Sequence, residues 1–418
     1  MSEEPVVEPE TGPPAPVLET REPVPEPVAT RAAFEDAVAR LAAGTGPVAI
    51  DAERASGYRY SARAYLVQLR RAGAGTVLVD PIGLGGMAAL GEALQDAEWV
   101  LHAASQDLPC LAEEGMHPGT LFDTELAGRL LGMPRVGLQA MVLDLLGYHL
   151  EKGYSAADWS TRPLPEPWLR YAALDVEVLV ELRDALEQRL ADAGKLEWAR
   201  EEFAALATPR APLVRAEPWR RTSGLHRVRK RRQLAVVREL WTTRDEVARD
   251  RDIAPGRVLP DAAIVEAALA SPRSVEELVA LPLFGGRGTR RRAGQWAGAV
   301  RRALALDEDA LPSAGAPLDG PPPARAWADR DPAAADRLTF ARTAMGAIAA
   351  EHSMPVENLL TPDTVRRLAW DPPVPLTVEA VAEFARAHGA REWQVGLTAA
   401  ALTDALSRAD ALGRVPED

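Results

Sequence analysis

The chain has 418 residues, 47% of them apolar, a net charge of −13 and a single cysteine, Cys110. This length accommodates about two to four domains, each able to bury a core. One cysteine excludes an internal disulfide framework and any cysteine-rich zinc site. No run approaches the roughly 20 apolar residues that span a bilayer. The first residues are acidic and proline-rich where a secretion signal is basic and then apolar, so the expected location is the cytoplasm, with no membrane partner.

Residues 1–29 hold eight prolines, seven glutamates and one arginine, and contribute −6 to the net charge. That composition predicts a disordered acidic tail. Residues 30–208 alternate helical and strand-like runs and form the first predicted domain. The apolar spacing of Phe34, Val38 and Leu41 predicts a helix over residues 32–41. Strands are predicted at 48–52, 64–70, 76–79 and 99–101, with a hairpin turn at Gly73-Ala74-Gly75. Helices are predicted over 87–94, 108–114, 125–131 and 138–146, and one long helix over 167–193, stopped by Gly194. Antiparallel strands followed by strand–helix alternation imply a mixed sheet flanked by helices.

Residues 209–232 carry nine Lys/Arg against one acid, Glu217. They are read as a basic linker (209–225) running into a helical domain (226–306). A Pro/Gly/Ala linker follows (307–330), then a second helical domain of short helices (331–415). The two helical domains read as a divergent repeat. Leu259-Pro260-Asp261 is echoed by Thr361-Pro362-Asp363, and Ser274-Val275-Glu276 by Thr377-Val378-Glu379.

Acidic residues fall in three informative places. Asp51 and Glu53 close the apolar run Val48-Ala49-Ile50, and alternation along a strand puts both carboxylates on one face. Two like charges so placed are either solvated at a strand end or neutralised by a hard divalent cation. Asp107 follows the polar turn after Leu101 and reads either as a helix cap or as a further ligand. Tyr171 and Asp175 lie four apart on a helix, hence on one face, as a surface pair or as a working one. Between Asp107 and Tyr171 stand Lys152 and the loop Asp158-Trp159-Ser160-Thr161-Arg162-Pro163-Leu164. It reads as a loop anchored by Trp159, or as a substrate edge whose Lys152 and Arg162 touch phosphate. The six histidines show no metal spacing, and His102 reads as a packed or hydrogen-bonded core residue.

Asp51-x-Glu53, His102-x-x-x-x-Asp107 and Tyr171-x-x-x-Asp175, in this order, resemble the three exonuclease motifs of the DEDD superfamily, Tyr subtype. With Lys152, Asp158-Trp159 and Arg162-Pro163-Leu164 between them, and helical blocks resembling HRDC domains behind, the chain is similar to the ribonuclease D family. The resemblance implies a ribonuclease H-like α/β exonuclease domain with a mixed five- or six-stranded sheet, followed by two all-α HRDC-like domains. It implies that Asp51, Glu53, Asp107 and Asp175 ligate two divalent ions, Mg²⁺ or Mn²⁺. Tyr171 would position or activate the attacking water. In that arrangement Asp51 bridges the ions, Glu53 and Asp175 hold the nucleophile-side ion, and Asp107 serves the other. Two departures are visible. Arg54 stands where the family commonly has an aromatic residue, and Val176-Glu177-Val178 is less aromatic than usual.

The expected activity is 3′→5′ exoribonucleolytic release of 5′-mononucleotides. Its expected substrate is the single-stranded 3′ end of RNA such as a tRNA precursor, acted on by a monomer. A DNA 3′→5′ exonuclease, or an idle nucleic-acid-binding scaffold, are the competing readings. Arg229, Lys230 and Arg231 at one helix start, and Arg290, Arg291 and Arg292 at another, read as RNA contacts or as solvated helix faces.

Overall fold

A computed structural model describes residues 15–151, 153–209, 216–315 and 320–412. Five strands form one sheet: β1 (Thr45–Arg54), β2 (Ala64–Ala72), β3 (Gly75–Val79), β4 (Glu98–Leu101) and β5 (Thr120–Asp123). Their spatial order is β3-β2-β1-β4-β5. The β1–β2 and β2–β3 pairs are antiparallel, and β1–β4 and β4–β5 are parallel, so the sheet is mixed as expected. Around it lie α1 (Arg31–Ala42), α2 (Ala88–Ala93), α3 (Leu108–Glu113), α4 (Thr124–Leu130), α5 (Leu138–Leu146), α6 (Glu166–Glu177), α7 (Leu179–Asp192) and α8 (Leu196–Ala207).

Alternation along β1 sets the layers. Val48, Ile50 and Ala52 face a core with Phe34 and Leu41 of α1, Leu90 of α2 and Leu111 of α3. Ala49 faces the opposite core, with Val100, Phe122 and Leu182 and Leu186 of α7. Asp51 and Glu53 continue the Ala49 face past the edge of that core. The β1–β2 register shifts between Glu53 and Arg54, a bulge that ends regular pairing where the acidic residues stand.

Three expectations need correction. The single helix over 167–193 is two, because Val178, at φ −121° and ψ 13°, leaves helical geometry between α6 and α7. No proline or glycine marks that break; it turns α7 onto the core while α6 runs past β1. Strand β5 and helix α8 escaped the periodicity reading, β5 because four residues are too few to show a period. Residues 15–29 are not a free tail. Leu18 N–H donates to His149 C=O and His149 N–H to Pro16 C=O, each at 2.8 Å, and Val28 pairs with the β3 edge through Leu78 and Asp80. Leu18 is buried. Composition alone misses this, because the segment is stabilised by backbone partners that lie far away in sequence. Residues 1–14 lie outside the described residues.

The last helical block joins the second core. Trp327, Leu338, Leu368 and Leu402 share one apolar cluster with Phe122, Leu186 and Phe203. Two of its helices, Pro332–Glu351 and Glu392–Leu412, are 20 and 21 residues long rather than short. Lys195, itself buried, donates to Leu130 C=O at 2.6 Å and to His352 C=O at 2.5 Å. Trp198 stacks on Trp393 with centroids 5.0 Å apart. At Gly132, φ +69°, a Cβ would stand 2.0 Å from Ser353 C=O, so only glycine admits this approach.

The first helical block has its own core around Trp219, Leu240, Ile264 and Trp296, and its long helix is α9 (Arg231–Arg251). Ser274 and Thr377, matched by sequence, both cap helix N-termini, accepting from Glu277 N–H and Ala380 N–H respectively. The block docks on the loop after β1. Asp252, at φ +47°, accepts from Tyr60 N–H (3.1 Å), Ser61 N–H (2.8 Å) and the Tyr65 hydroxyl (3.3 Å). Arg257 donates to Gly57 C=O at 2.8 Å and covers the Tyr58 ring. Asp252→Ala is expected to lower stability by ~1–2 kcal/mol, with faster amide exchange at Tyr60 and Ser61. Unchanged exchange there would show that the loop holds itself. No described helix is long and apolar enough to cross a membrane.

Candidate active site

Asp51 and Glu53 on β1 and Asp175 on α6 bring carboxylate oxygens within 4.8 Å of one another. Asp175 reaches them because α6 crosses the Ala49 face of β1, and Tyr171, one turn earlier, projects the same way. Asp107 stands outside that trio but within hydrogen-bonding reach of Asp51. It occupies the N-cap position of α3 without making a cap bond, so the capping reading does not hold for its side chain. All five expected residues line one cleft of about 770 Å³.

The charges are poorly compensated. Burial pushes Glu53 up to about 10, with Asp51, Asp175 and Asp107 adding to it. Burial, then the charge of Asp51, pushes Asp107 up to about 8. Asp51 and Asp175 are raised too, burial again the first cause. The cation facing the cluster is Arg54, whose Nη2 lies 3.4 Å from Asp107 Oδ1. Among the described residues, one guanidinium against four clustered carboxylates leaves a site whose all-oxygen donors suit hard divalent cations. The residues present therefore fit the metal that the resemblance implies.

Sequence reasoning missed several supports. Gln68, opposite Asp51 in the β2 register, donates to Asp51 Oδ2 at 3.0 Å. Its one signal was a polar residue inside an apolar strand. Tyr171 is held by the loop before α6: its ring meets Tyr154 edge-on at 6.1 Å and Trp159 at 6.5 Å. A Cβ on Gly153 would fall 2.5 Å from that ring, so the loop backbone packs directly on the tyrosine. Burial, then the charges of Asp175, Glu53 and Asp51, raises the phenol above its ordinary value. The metal-free protein therefore offers Tyr171 as a hydrogen-bond donor.

The expected nucleic-acid residues divide. Arg162 is committed internally: it grips Asp80 at 2.6 and 2.8 Å and donates to Trp159 and Tyr65 C=O, each at 2.7 Å. With Trp159 fully buried, this loop is an anchor rather than a phosphate edge. Arg231 donates from Nε to Pro312 C=O and from Nη2 to the carbonyls of Glu308 and Leu311, while its exposed Nη1 makes no hydrogen bond among the described residues. The assignment of Arg162 to RNA is withdrawn, since its whole guanidinium is clamped within the protein; Arg231 keeps one free edge that a phosphate could reach. Among the described residues, Arg229, Lys230, Arg290 and Arg291 are exposed and their side chains make no hydrogen bond or ion pair. Arg292 is partly buried, its pKa lowered by burial and then by Arg251 and Arg291. Lys152 lies outside the described residues.

Comparison with known proteins follows this division. Residues 25–191 match a family described as 3′-5′ exonuclease, 233–300 match the HRDC domain, and 320–406 match a 3′ to 5′ exonuclease C-terminal domain. A ribonuclease D of Gluconacetobacter diazotrophicus is 32% identical over 339 residues, 78% of this chain and 81% of its own length. The chain belongs to the ribonuclease D family. It is a metal-dependent 3′→5′ exoribonuclease. Among solved structures, a protein from Bifidobacterium adolescentis superposes with a TM-score of 0.86 at 39% identity, over 94% of this chain and 100% of its own. Escherichia coli RNase D superposes with a TM-score of 0.67 at 27% identity, over 92% and 98%. The enzyme thus combines a nuclease domain with two helical blocks, one docked on the loop after β1 and the other sharing the apolar core of Phe122, Leu186 and Phe203.

Proposed function

We propose that this enzyme shortens RNA from a single-stranded 3′ end, releasing 5′-mononucleotides, with two divalent cations, Mg²⁺ or Mn²⁺, held by Asp51, Glu53, Asp107 and Asp175. The observation that carries the reading is the convergence of four carboxylates, Asp51 half-buried and the others more deeply so, and one phenol on a single cleft. When bound, the cations supply the Lewis acidity that activates water and stabilises the leaving 3′-oxygen. Asp51 would serve both cation positions, because it belongs to the trio and also interacts with Asp107. Glu53 and Asp175 complete the nucleophile side. Tyr171 orients the attacking water by donating from its phenol, in a ring position fixed by Tyr154, Trp159 and Gly153.

The protein works as a monomer and trims structured RNA such as tRNA precursors. For structured RNA as the substrate, the support is the similar Escherichia coli enzyme, described as an exoribonuclease involved in structured RNA processing. The test is incubation with 5′-labelled single-stranded RNA and DNA in Mn²⁺, Mg²⁺ or EDTA. Stepwise shortening of RNA from the 3′ end, abolished by EDTA, is expected; no metal-dependent shortening of either sinks the proposal, and faster shortening of DNA replaces RNA by DNA.

Arg290, Arg291 and Arg292 hold the body of the RNA by phosphate contact. Replacing all three by Ala is expected to weaken binding and flatten its salt dependence by about 2 in log–log slope, at roughly 0.7 per phosphate on a single strand. Titration at several KCl concentrations checks this; an unchanged slope returns the three to a solvated face.

A further inference from the structure

His102 lies in the turn between β4 and α3 and lines the catalytic cleft with Asp51, Glu53 and Asp107. Its surroundings are unusually determined for a turn. The next residue, Ala103, has φ +59°, a left-handed conformation that a non-glycine residue adopts at a cost. Asp123 holds it there: the buried carboxylate accepts from Ala103 N–H (3.1 Å) and Ala104 N–H (2.9 Å), while also capping α4 through Glu125 and Leu126. Neither contact serves the carboxylate cluster. Both fix where the His102 ring stands.

The ring's hydrogens follow from a short chain. The Thr124 hydroxyl, fully buried, donates its one hydrogen to Leu101 C=O at 3.2 Å. With that hydrogen on Leu101, the 2.9 Å contact with His102 Nδ1 is the arrangement in which Nδ1–H donates and the hydroxyl accepts. Nε2 is left with a bare lone pair. Among the described residues it has no hydrogen-bond partner, and it is not sealed off from solvent, so it is open to the cleft. Burial lowers the His102 pKa to about 4, against the pull of Glu125, so the ring is neutral near pH 7.

An acceptor facing a cleft for a polyanion cannot bind phosphate oxygens, which are themselves acceptors. It selects an O–H or N–H donor on the nucleotide. An enzyme that removes every nucleotide in turn cannot depend on an exocyclic amine, which uracil lacks. The donor common to all ribonucleotides and absent from DNA is the ribose 2′-hydroxyl. We propose that His102 Nε2 accepts a hydrogen bond from a ribose 2′-hydroxyl at the 3′ end of the substrate, and that Thr124 sets the tautomer that makes it an acceptor. His102 is thereby a specificity-determining residue for RNA over DNA. The inference rests on the exoribonuclease reading of the same cleft.

The test uses the full chain with Mn²⁺ and two 5′-labelled oligonucleotides of one sequence, one all-ribose and one with 2′-deoxyribose at its last two positions. The wild-type protein is expected to shorten the all-ribose strand roughly tenfold faster, the scale of one hydrogen bond to a group otherwise left unpaired. His102→Phe is expected to bring that ratio to about one. Thr124→Val, which frees the tautomer without touching the cleft, is expected to shrink it too, and serves where His102→Phe does not fold. A merely structural role for His102 lowers both rates together and leaves the ratio standing; that result overturns the inference, as do equal wild-type rates on the two strands. A wild-type protein active on RNA with an unaltered ratio in both variants sinks the His102 assignment alone. A wild-type protein inert on both strands sinks the function reading, and this inference with it.

Discussion

Asp51→Asn is expected to reduce RNA shortening by at least about 10³-fold while leaving RNA binding nearly intact. The size follows from what Asp51 does in the proposed site: it meets Glu53 and Asp175 in the trio and Asp107 outside it, so both cation positions lose a charged ligand together. Weakening the charge stabilisation of an in-line displacement by several kcal/mol is a loss of this order. The amide is nearly isosteric and its oxygen still accepts from Gln68 Nε2, now 3.0 Å from Asp51 Oδ2, so β1 and β2 keep their register. The free protein should even gain thermal stability, because one of several buried like charges is gone. Turnover within tenfold of wild type would remove Asp51 from the bridging position. Lost binding with lost turnover would assign it to the substrate rather than to the ions.

The site was legible to the extent that it obeys local periods. Asp51 and Glu53 share a face because strand side chains alternate, and Tyr171 and Asp175 because helix residues four apart do; neither relation needs tertiary knowledge. The helix–strand alternation of the first domain was legible for the same reason. What stayed hidden depends on partners far off in sequence. Arg162 looked like a free cation until Asp80, 82 residues away, took both its forks. The partners of Arg231 were hidden likewise, being carbonyls 77 to 81 residues downstream. Residues 15–29 carry a composition typical of disorder, yet their backbone N–H and C=O groups find His149, Leu78 and Asp80. The break at Val178 has no proline or glycine to announce it; it is imposed by α6 and α7 packing on different neighbours. His102 was read as a packed or hydrogen-bonded core histidine. Its ring is indeed hydrogen-bonded, but only the Thr124 contact shows which nitrogen is left exposed.

Metal-free protein is expected to lose thermal stability as pH rises from about 5 to 9, and divalent cations are expected to restore it, most strongly at the alkaline end. The folded protein raises Asp107 from 3.8 to about 8 and Glu53 from 4.5 to about 10, burial first and neighbouring carboxylates second. A carboxyl group whose pKa is raised by folding binds its proton more tightly in the native state. Its contribution is fully present below the unfolded value and is lost as pH climbs through the folded value. The window for Asp107 is therefore about pH 4 to 8, and that for Glu53 extends to about 10. This is opposite in sign to a protein stabilised by paired carboxylates, whose stability falls on acidification. Arg54 moderates the effect at Asp107 without reversing it, being one charge at 3.4 Å. Cations that bind only the folded, deprotonated cluster compete with those protons, so their stabilisation must grow with pH. Melting in EDTA and in excess Mg²⁺ at pH 5.5 and 8.5 measures both effects. A difference of more than about 4 °C between the two Mg²⁺-induced shifts is the expected result, about what 1–2 kcal/mol produces in a domain of this size. Equal shifts at the two pH values would mean that the cations bind away from these carboxylates. The same melts on Asp51→Asn separate the alternatives further, because a cluster with one charge removed should show both a shallower pH dependence in EDTA and a smaller response to Mg²⁺.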